Sequence, residues 1–514
     1  MWDAAYFDEL KDRRAKVAMG GGEDYIAKQH SREKLTARER IEALFDDGTF
    51  VEVNDMVTSR ATDFDMEKKK KPGDGVVTGY GLVHGRTVFV ASQDFTVGGG
   101  ALGEAQGMKI CNIMDKAMDM KAPMVFVNDS GGARIEEGID SLAGYAGIFY
   151  RNTIASGVIP QISVILGPCA GGACYSPAIA DFIFMSEKNA QMFITGPDVV
   201  RSVTGEEISS EDLGGAYVHN SKSGVAHFEY KDDLSCLNGV RELLGYLPQN
   251  NMDKSMVVPG REIDRSADLA NIVPDNAKQS YDVKDVIATF VDEGSFFEIQ
   301  PHFAQNLVIG FARLEGKTIG IVANQSKVMA GSLEINASDK GARFIRFCDC
   351  FNIPILTLVD VPAFLPGSQQ EHNGIIRHGA KLLYAYSEAT VPKISVVMRK
   401  AYGGAYIAMN SKGIGADIVY AWPIAELAVM GAAGAVSIIG RKAIKNAEDP
   451  AAKKKELLEE YNGKFMNPYI AAEHGYVDEV ILPSETRSRI VSAFRMLETK
   501  KKTNPYKKHG NIPL

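Results

Sequence analysis

The chain carries one plan twice, and that duplication restricts its fold more than any other feature. The segment HGRTVFVASQDF (84–95) matches EGKTIGIVANQS (315–326), with Gly85 and Gly316 separated by 231 positions. KAPMVFVNDSGG (121–132) matches NIPILTLVDVPA (352–363), and both Pro123/Pro354 and Asp129/Asp360 keep the offset of 231. IPQISVILGPCAGGACY (159–175) matches VPKISVVMRKAYGGAYI (391–407), where Pro160 and Pro392 lie 232 apart. An offset held this closely from residue 84 to residue 175 marks an internal duplication.

Within each copy, short β-rich runs alternate with helical stretches such as GEAQGMKICNIMDKAMDM (103–120) and ASDKGARFIRFCDCFN (337–352). Alternation of this kind predicts an α/β fold with a layered sheet built on crossovers. At 514 residues the chain is too long for one core. The irregular stretch at 247–276, rich in Pro, Asn and Asp, marks the boundary and predicts domains 1–255 and 256–514. The first forty residues read as helices bracing the first domain, and AAKKKELLEEYNGKF (451–465) reads as a surface helix.

The net charge of −8 excludes non-specific nucleic-acid binding as a function class. The start is charged almost at once, so no signal peptide is visible, and no apolar run approaches the roughly 18 residues of a membrane span. A cytoplasmic protein is the expectation. Cys111, Cys169, Cys174, Cys236, Cys348 and Cys350 show no paired CxxC spacing. Reduced, buried thiols and no metal site are therefore expected.

The two copies share a glycine turn: GPCAGGACYSPA (167–178) and AYGGAYIAM (401–409). Neither stretch contains His, Asp, Glu, Lys or Arg. A strand that ends in Gly-Gly-Ala before a helix leaves backbone N–H groups without helical partners. Glycine lets an oxygen approach those groups, and the helix dipole favours negative charge there. Such a turn can serve as an oxyanion hole. The same glycines can equally serve only a tight turn and close packing, and spacing alone leaves both readings open. DFTVGGGALG (94–103) and NDSGGARIEEG (128–138) are further glycine turns, and neither fits a nucleotide-binding motif.

Longer stretches carry a resemblance. KLTARERIEALFDDGTFVE, PGDGVVTGYG, QDFTVGGGALGE, NDSGGARI, GVIPQISVILGPCAGGACYSPA and QMFITGPDVVRSVTGEE run in order through the first copy. VDVPAFLPGSQQEHNGIIRHGAKLLYAY, RKAYGGAY, YAWPIAELAVMGAAGAV and NPYIAAEHGYVDEVILPSETR continue through the second. Together they resemble the carboxyltransferase subunits of biotin-dependent acyl-CoA carboxylases and decarboxylases, from about residue 34 to the C-terminus. The branch is that of propionyl-CoA carboxylase β subunits and methylmalonyl-CoA decarboxylase α subunits.

The resemblance implies two tandem crotonase-like (ββα superhelix) domains and a homo-hexamer, a trimer of dimers with active sites between subunits. It implies acyl-CoA on the N-terminal domain and biotin on the C-terminal domain. Carried over residue by residue, the N–H groups of Gly172 and Ala173 would hold the thioester oxygen of an enolate. Those of Gly404 and Ala405 would hold the biotin ureido oxygen. Gly131, Gly132, Ala133 and Gly171 would shape the acyl-CoA side, and Gly403, Tyr406 and Ile407 the biotin side. The ureido nitrogen of biotin would supply the base, which accounts for turns without acids or bases.

AMDMK (117–121) has Asp119 where a biotinylation site needs lysine, so it reads as helix. Biotin is therefore expected on a separate carrier protein, with a biotin carboxylase or a membrane decarboxylase subunit as further partner. The expected function is transfer of CO2 between biotin and the α-carbon of a short acyl-CoA, the propionyl/methylmalonyl pair. The alternative is the α subunit of a sodium-pumping methylmalonyl-CoA decarboxylase. A biotin-independent crotonase-type hydratase needs an acid–base pair near Gly172 that the sequence does not offer, and a non-catalytic acyl-CoA-binding subunit is a third class. Two positions depart from the family pattern. Ile407 stands where propionyl-preferring members carry Asp, which puts strict propionyl preference in doubt, and Ala363 stands where Gly is common. Glu371, His372 and His378 read as loop-shaping residues, and Lys68–Lys71 as a solvated loop.

Overall fold

Each half of the chain opens its sheet with an antiparallel hairpin and then turns parallel. The computed structural model describes residues 3–514, and its contacts divide the chain into two units, Met1–Lys254 and Ser255–Leu514. The first unit holds β1 (Val51–Val53), β2 (Val76–Val83), β3 (Arg86–Gln93), β4 (Met124–Ser130), β5 (Gln161–Ala170), β6 (Phe182–Ser186), β7 (Gln191–Phe193) and β8 (Phe228–Tyr230). The second holds β9 (Phe297–Ile299), β10 (Leu307–Leu314), β11 (Lys317–Asn324), β12 (Ile355–Val361), β13 (Lys393–Tyr402), β14 (Ile418–Ala421), β15 (Glu426–Ala428) and β16 (Glu479–Val480).

The two sheets repeat each other strand for strand. The first runs β1-β2-β3-β4-β5-β6-β8 with β7 on β5, and the second runs β9-β10-β11-β12-β13-β14-β16 with β15 on β13. His84–Gly85 and Glu315–Gly316 make the hairpin turns with φ of 52°, 72° and 53°, 75°. Two consecutive left-handed residues match the twist of a two-residue hairpin. Beyond the hairpins, helices Glu104–Met120 and Ile139–Ala155 provide crossovers in the first unit, and Ile335–Cys350 and Ile375–Glu388 do so in the second. Crossovers of this length bring the next strand back parallel. Covered strands of this kind are buried along their length and mostly apolar, as β12 is: all seven of its residues are buried, Thr357 and Asp360 among them.

The copies agree in detail. The β4/β5 register breaks between Asn128 and Ser130, and the β12/β13 register breaks between Val359 and Val361. The residues at the break, Asp129 and Asp360, are both fully buried. Asp129 accepts from Lys34 Nζ at 2.8 Å and Arg40 at 2.9 Å. Asp360 accepts from Arg399 at 3.0 Å and the Tyr281 hydroxyl at 3.0 Å. Gly167 occupies the position of Arg399 in the first copy. A Cβ there would lie 1.9 Å from Asp129 Oδ1 and 2.7 Å from Lys34 Nζ, so glycine makes room for the lysine.

The N-terminal region is helical, as Ala4–Ala18, Glu23–His30 and Ala37–Leu44. Thr36 and Glu39 form a capping box on the last of these. Pro450–Phe465 is a surface helix with no buried residue. The thiols depart from expectation: Cys350 is exposed, at the last residue of its helix, and Cys111 is only half-buried. Among the described residues no helix is long and apolar enough to cross a membrane.

Candidate active site

β5 ends at Ala170, and Gly171 turns the chain with φ of +62° into a single tight turn, Gly171–Cys174. The Tyr175–Ile179 helix follows at once. Residues in the first turn of a helix have no preceding carbonyl in register, so the N–H groups of Gly172 and Ala173 lack an intrahelical acceptor. Cys174 Sγ donates to the carbonyl of Cys169 at 2.7 Å and ties the end of the turn back to the strand. Tyr145 lies beneath it, its hydroxyl pKa pushed up chiefly by burial.

The second turn repeats this geometry. β13 ends at Tyr402, Gly403 has φ of +57°, and the Gly403–Ala408 helix begins there. The Tyr402 hydroxyl donates to Glu426, which fixes the approach to the turn against β15. Tyr406 is half-buried, and burial pushes its hydroxyl pKa up to about 12. Ile407 projects outward with 46% of its surface exposed.

The paired glycines have different reasons to be glycine. Gly171 and Gly403 both hold a left-handed backbone, and a Cβ on Gly403 would also lie 2.9 Å from the Val429 carbonyl. Turn geometry alone requires glycine at those two positions. Gly172 and Gly404 lie outside the left-handed region. A Cβ on Gly404 would meet nothing within 4 Å, and one on Gly172 would make ordinary contact, 3.4 Å from the Tyr145 ring. Neither backbone conformation nor packing requires glycine there. At Gly404 the space left open lies beside the amides of the turn.

The loop at Gly131–Ala133 abuts the end of β5. A Cβ on Gly132, whose φ is +105°, would lie 3.1 Å from the Ala170 carbonyl. Its own amides are engaged: Gly131 N–H donates to the Gly99 carbonyl at 3.0 Å and Gly132 N–H to Ser130 Oγ at 3.2 Å. This loop can shape a ligand by its surface, with Gly131 exposed. Ala363, the counterpart of Gly132, is not left-handed, so alanine brings no strain.

The polar residues set aside in the sequence sit in ordinary surroundings. Glu371 and His372 are exposed on the short helix Ser368–His372. His378 Nδ1 lies 2.8 Å from Asp339, which also pairs with Lys381 at 2.9 Å. Lys68 and Lys69 close a short helix, Met66–Lys69, and Lys68 pairs with Asp65 in solvent. Local pattern does not mark the buried Asp129 and Asp360, or Arg134, which follows the Gly131–Ala133 loop and donates to Asp74 at 2.9 Å. The signal for Arg134 was available, because the aligned position in the second copy is Leu365.

Comparison with known proteins decides the family. The profile of the carboxyl transferase domain matches residues 28–512. The chain belongs to the carboxyl transferase family. The carboxyltransferase subunit of propionyl-CoA carboxylase from Haloferax mediterranei is 59% identical over 509 residues, covering 99% of both chains. The methylmalonyl-CoA decarboxylase subunit alpha from Propionigenium modestum is 58% identical over 514 residues, again covering 99% of both. Among solved structures, the transcarboxylase 12S hexamer with methylmalonyl-coenzyme A and methylmalonic acid bound superposes with a TM-score of 0.98. That protein is 53% identical and covers 100% of this chain and 99% of its own. The two units of this carboxyl transferase are thus crotonase-like domains.

Proposed function

We propose that the chain transfers a carboxyl group between biotin on a separate carrier protein and the α-carbon of a short-chain acyl-CoA, the propionyl-CoA/methylmalonyl-CoA pair. The observation that carries this reading is the paired turn: neither Gly172 nor Gly404 is required as glycine by backbone or packing, and at Gly404 the fold leaves open space. Two such turns fit two oxygens. The N–H groups of Gly172 and Ala173 hold the thioester oxygen of the acyl-CoA while its α-carbon carries negative charge. Amides that are already oriented need no reorganisation as that charge grows, and each is worth about 2.7–4 kcal/mol in such sites. The N–H groups of Gly404 and Ala405 receive the ureido oxygen of biotin, and the exposed position of Gly404 suits a ligand that arrives on a partner. When bound, biotin supplies the carboxyl group and a ureido nitrogen basic enough to take the α-proton. The chain itself contributes orientation and electrostatics. Gly131, Gly132 and Ala133 shape the acyl-CoA side, and Tyr406 and Ile407 line the biotin side.

The solved hexamer of the 12S relative supports a homo-hexamer for this chain. A biotin carrier and a carboxylase or membrane decarboxylase subunit are the partners that this chemistry requires. Both directions of transfer have close relatives, at 59% and 58% identity, and identity does not separate them.

The test is incubation with methylmalonyl-CoA and free biotin, following loss of the carboxyl group, with malonyl-CoA and ethylmalonyl-CoA in parallel. Biotin-dependent turnover that is fastest with methylmalonyl-CoA is the expected result. Acyl-CoA binding without biotin-dependent turnover would overturn the catalytic reading. Copurification with a biotin carboxylase or with a membrane subunit distinguishes carboxylation from decarboxylation.

A further inference from the structure

The first copy buries an ion network that the second copy does without. Arg134 Nη1 donates to Asp74 Oδ1 at 2.9 Å and to Glu137 Oε1 at 2.7 Å, and Nη2 donates to the Ala101 carbonyl at 3.0 Å. The three charged side chains are 7%, 5% and 4% exposed. Glu137 also accepts the first helical amide of Glu104–Met120, Glu104 N–H, at 2.6 Å. Asp74 accepts the Gln106 N–H at 3.1 Å. Lys109 holds the two ends of the Asp74 turn through the carbonyls of Gly73 at 2.9 Å and Val76 at 2.6 Å.

The duplication provides an internal control. Leu102 bridges Ala133 in the first copy, and Leu333 bridges Phe364 in the second. Arg134 N–H donates to the Leu102 carbonyl at 2.9 Å, and Leu365 N–H donates to the Leu333 carbonyl at 2.7 Å. The bridge is shared, although Asp74 (φ of +46°) and Gly132 (φ of +105°) are left-handed and their counterparts Gln305 and Ala363 are not, and Gln305 and Leu365 stand at the positions of Asp74 and Arg134. The shared bridge therefore forms without the ions. Removing charges from water is costly, and a buried network of this kind is no better for stability than apolar packing of the same volume. What it adds is a fixed geometry. The segment that it holds directly is Gly100–Gly103, where a Cβ on Gly103 would strike Glu137 at 2.5 Å, and that segment in turn bonds the Gly131–Ala133 loop through Leu102 N–H to the Gly132 carbonyl at 2.9 Å.

We propose that the Arg134–Asp74–Glu137 network is a positioning device specific to acyl-CoA, holding the Gly131–Ala133 loop and the adjoining helix start in the shape that receives that substrate. This rests on the acyl-CoA reading of the first copy given above. The three residues act through the backbone they hold. The second copy receives a different ligand and holds its helix start differently, with Ile335 N–H donating to the uncharged Gln370 at 3.2 Å and Glu334 capping the helix in place of a buried ion network.

The experiment compares three proteins: wild type, Arg134→Lys, and the charge-free combination Arg134→Met, Asp74→Asn, Glu137→Gln. Each is measured for hexamer assembly, for methylmalonyl-CoA affinity by calorimetry, and for KM toward methylmalonyl-CoA and toward free biotin. The charge-free variant is expected to assemble and to bind methylmalonyl-CoA roughly tenfold to a hundredfold more weakly, as displaced positioning elements do. Its KM for free biotin should stay within about twofold of wild type, and Arg134→Lys should recover part of the lost affinity. An assembled charge-free variant with unchanged methylmalonyl-CoA affinity would overturn the proposal. So would failure of that variant to assemble, because the network would then serve folding, and so would equal losses toward both substrates. If wild type binds methylmalonyl-CoA but shows no biotin-dependent turnover, the transfer reading fails, while the calorimetric comparison still tests the network.

Discussion

The two glycines of the second turn should respond in opposite ways to the addition of one methyl group. Gly403 is left-handed, and a Cβ there would lie 2.9 Å from the Val429 carbonyl. Gly403→Ala is expected to cost about 1–3 kcal/mol of stability, from the left-handed backbone and the enforced shift of that carbonyl. Gly404 is helical, and its Cβ would enter empty space. Gly404→Ala should be neutral, or stabilise by about 0.5–1 kcal/mol through lower backbone entropy in the unfolded chain. Gly404→Val should remain folded and fill the space in front of the amides. Loss of the donors there corresponds to about 2.7–4 kcal/mol, or roughly 10²–10³-fold in turnover. Guanidinium unfolding gives the stability of each variant, and biotin-dependent loss of the carboxyl group from methylmalonyl-CoA gives the activity. Methylmalonyl-CoA affinity should not change, because the first copy is untouched. Two results refute the reasoning: Gly404→Val unfolding as readily as Gly403→Ala, or Gly404→Val turning over within tenfold of wild type.

Other positions give independent tests. Arg40 is fully buried between Asp129 at 2.9 Å and Asp233 at 2.8 Å. Arg40→Met should cost about 3–5 kcal/mol in chemical denaturation, because it strands buried carboxylates, and a loss below about 1 kcal/mol would refute that account. Gly167→Ala should destabilise by about 1–3 kcal/mol or more, since its Cβ would lie 1.9 Å from Asp129 Oδ1; a wild-type melting curve would show that the Lys34–Asp129 pocket yields more easily than its packing implies. Lys340 donates to the carbonyls of Gln300 and Phe303, and burial pulls its pKa down to about 7. Between about pH 7 and the unfolded lysine value near 10.4 the unfolded chain binds the extra proton, so this group makes stability rise with pH, by up to about 1.4 kcal/mol per unit. Lys340→Met should flatten that part of the stability–pH curve, and an unaltered slope would show that the lysine keeps its charge when buried.

Much of this protein was legible in one dimension. The offset of 231 between Gly85 and Gly316 and between Asp129 and Asp360 determined two copies of one α/β plan, because local pattern survives duplication. The matched Gly-Gly-Ala turns identified the candidate site, since turn chemistry resides in adjacent residues. The tertiary structure alone separated Gly404 from Gly403, because the neighbour of a would-be Cβ, such as Val429, comes from a distant strand connection. It alone showed that one buried carboxylate, duplicated with its strand, draws its cations from different places: Lys34 and Arg40 in one copy and Arg399 in the other. It also brought Asp74, sixty residues away in the chain, to the Arg134–Glu137 turn. Backbone plan is written in propensities and periods along the chain. Charge pairing and open space depend on contacts between residues tens of positions or more apart, which no local pattern records.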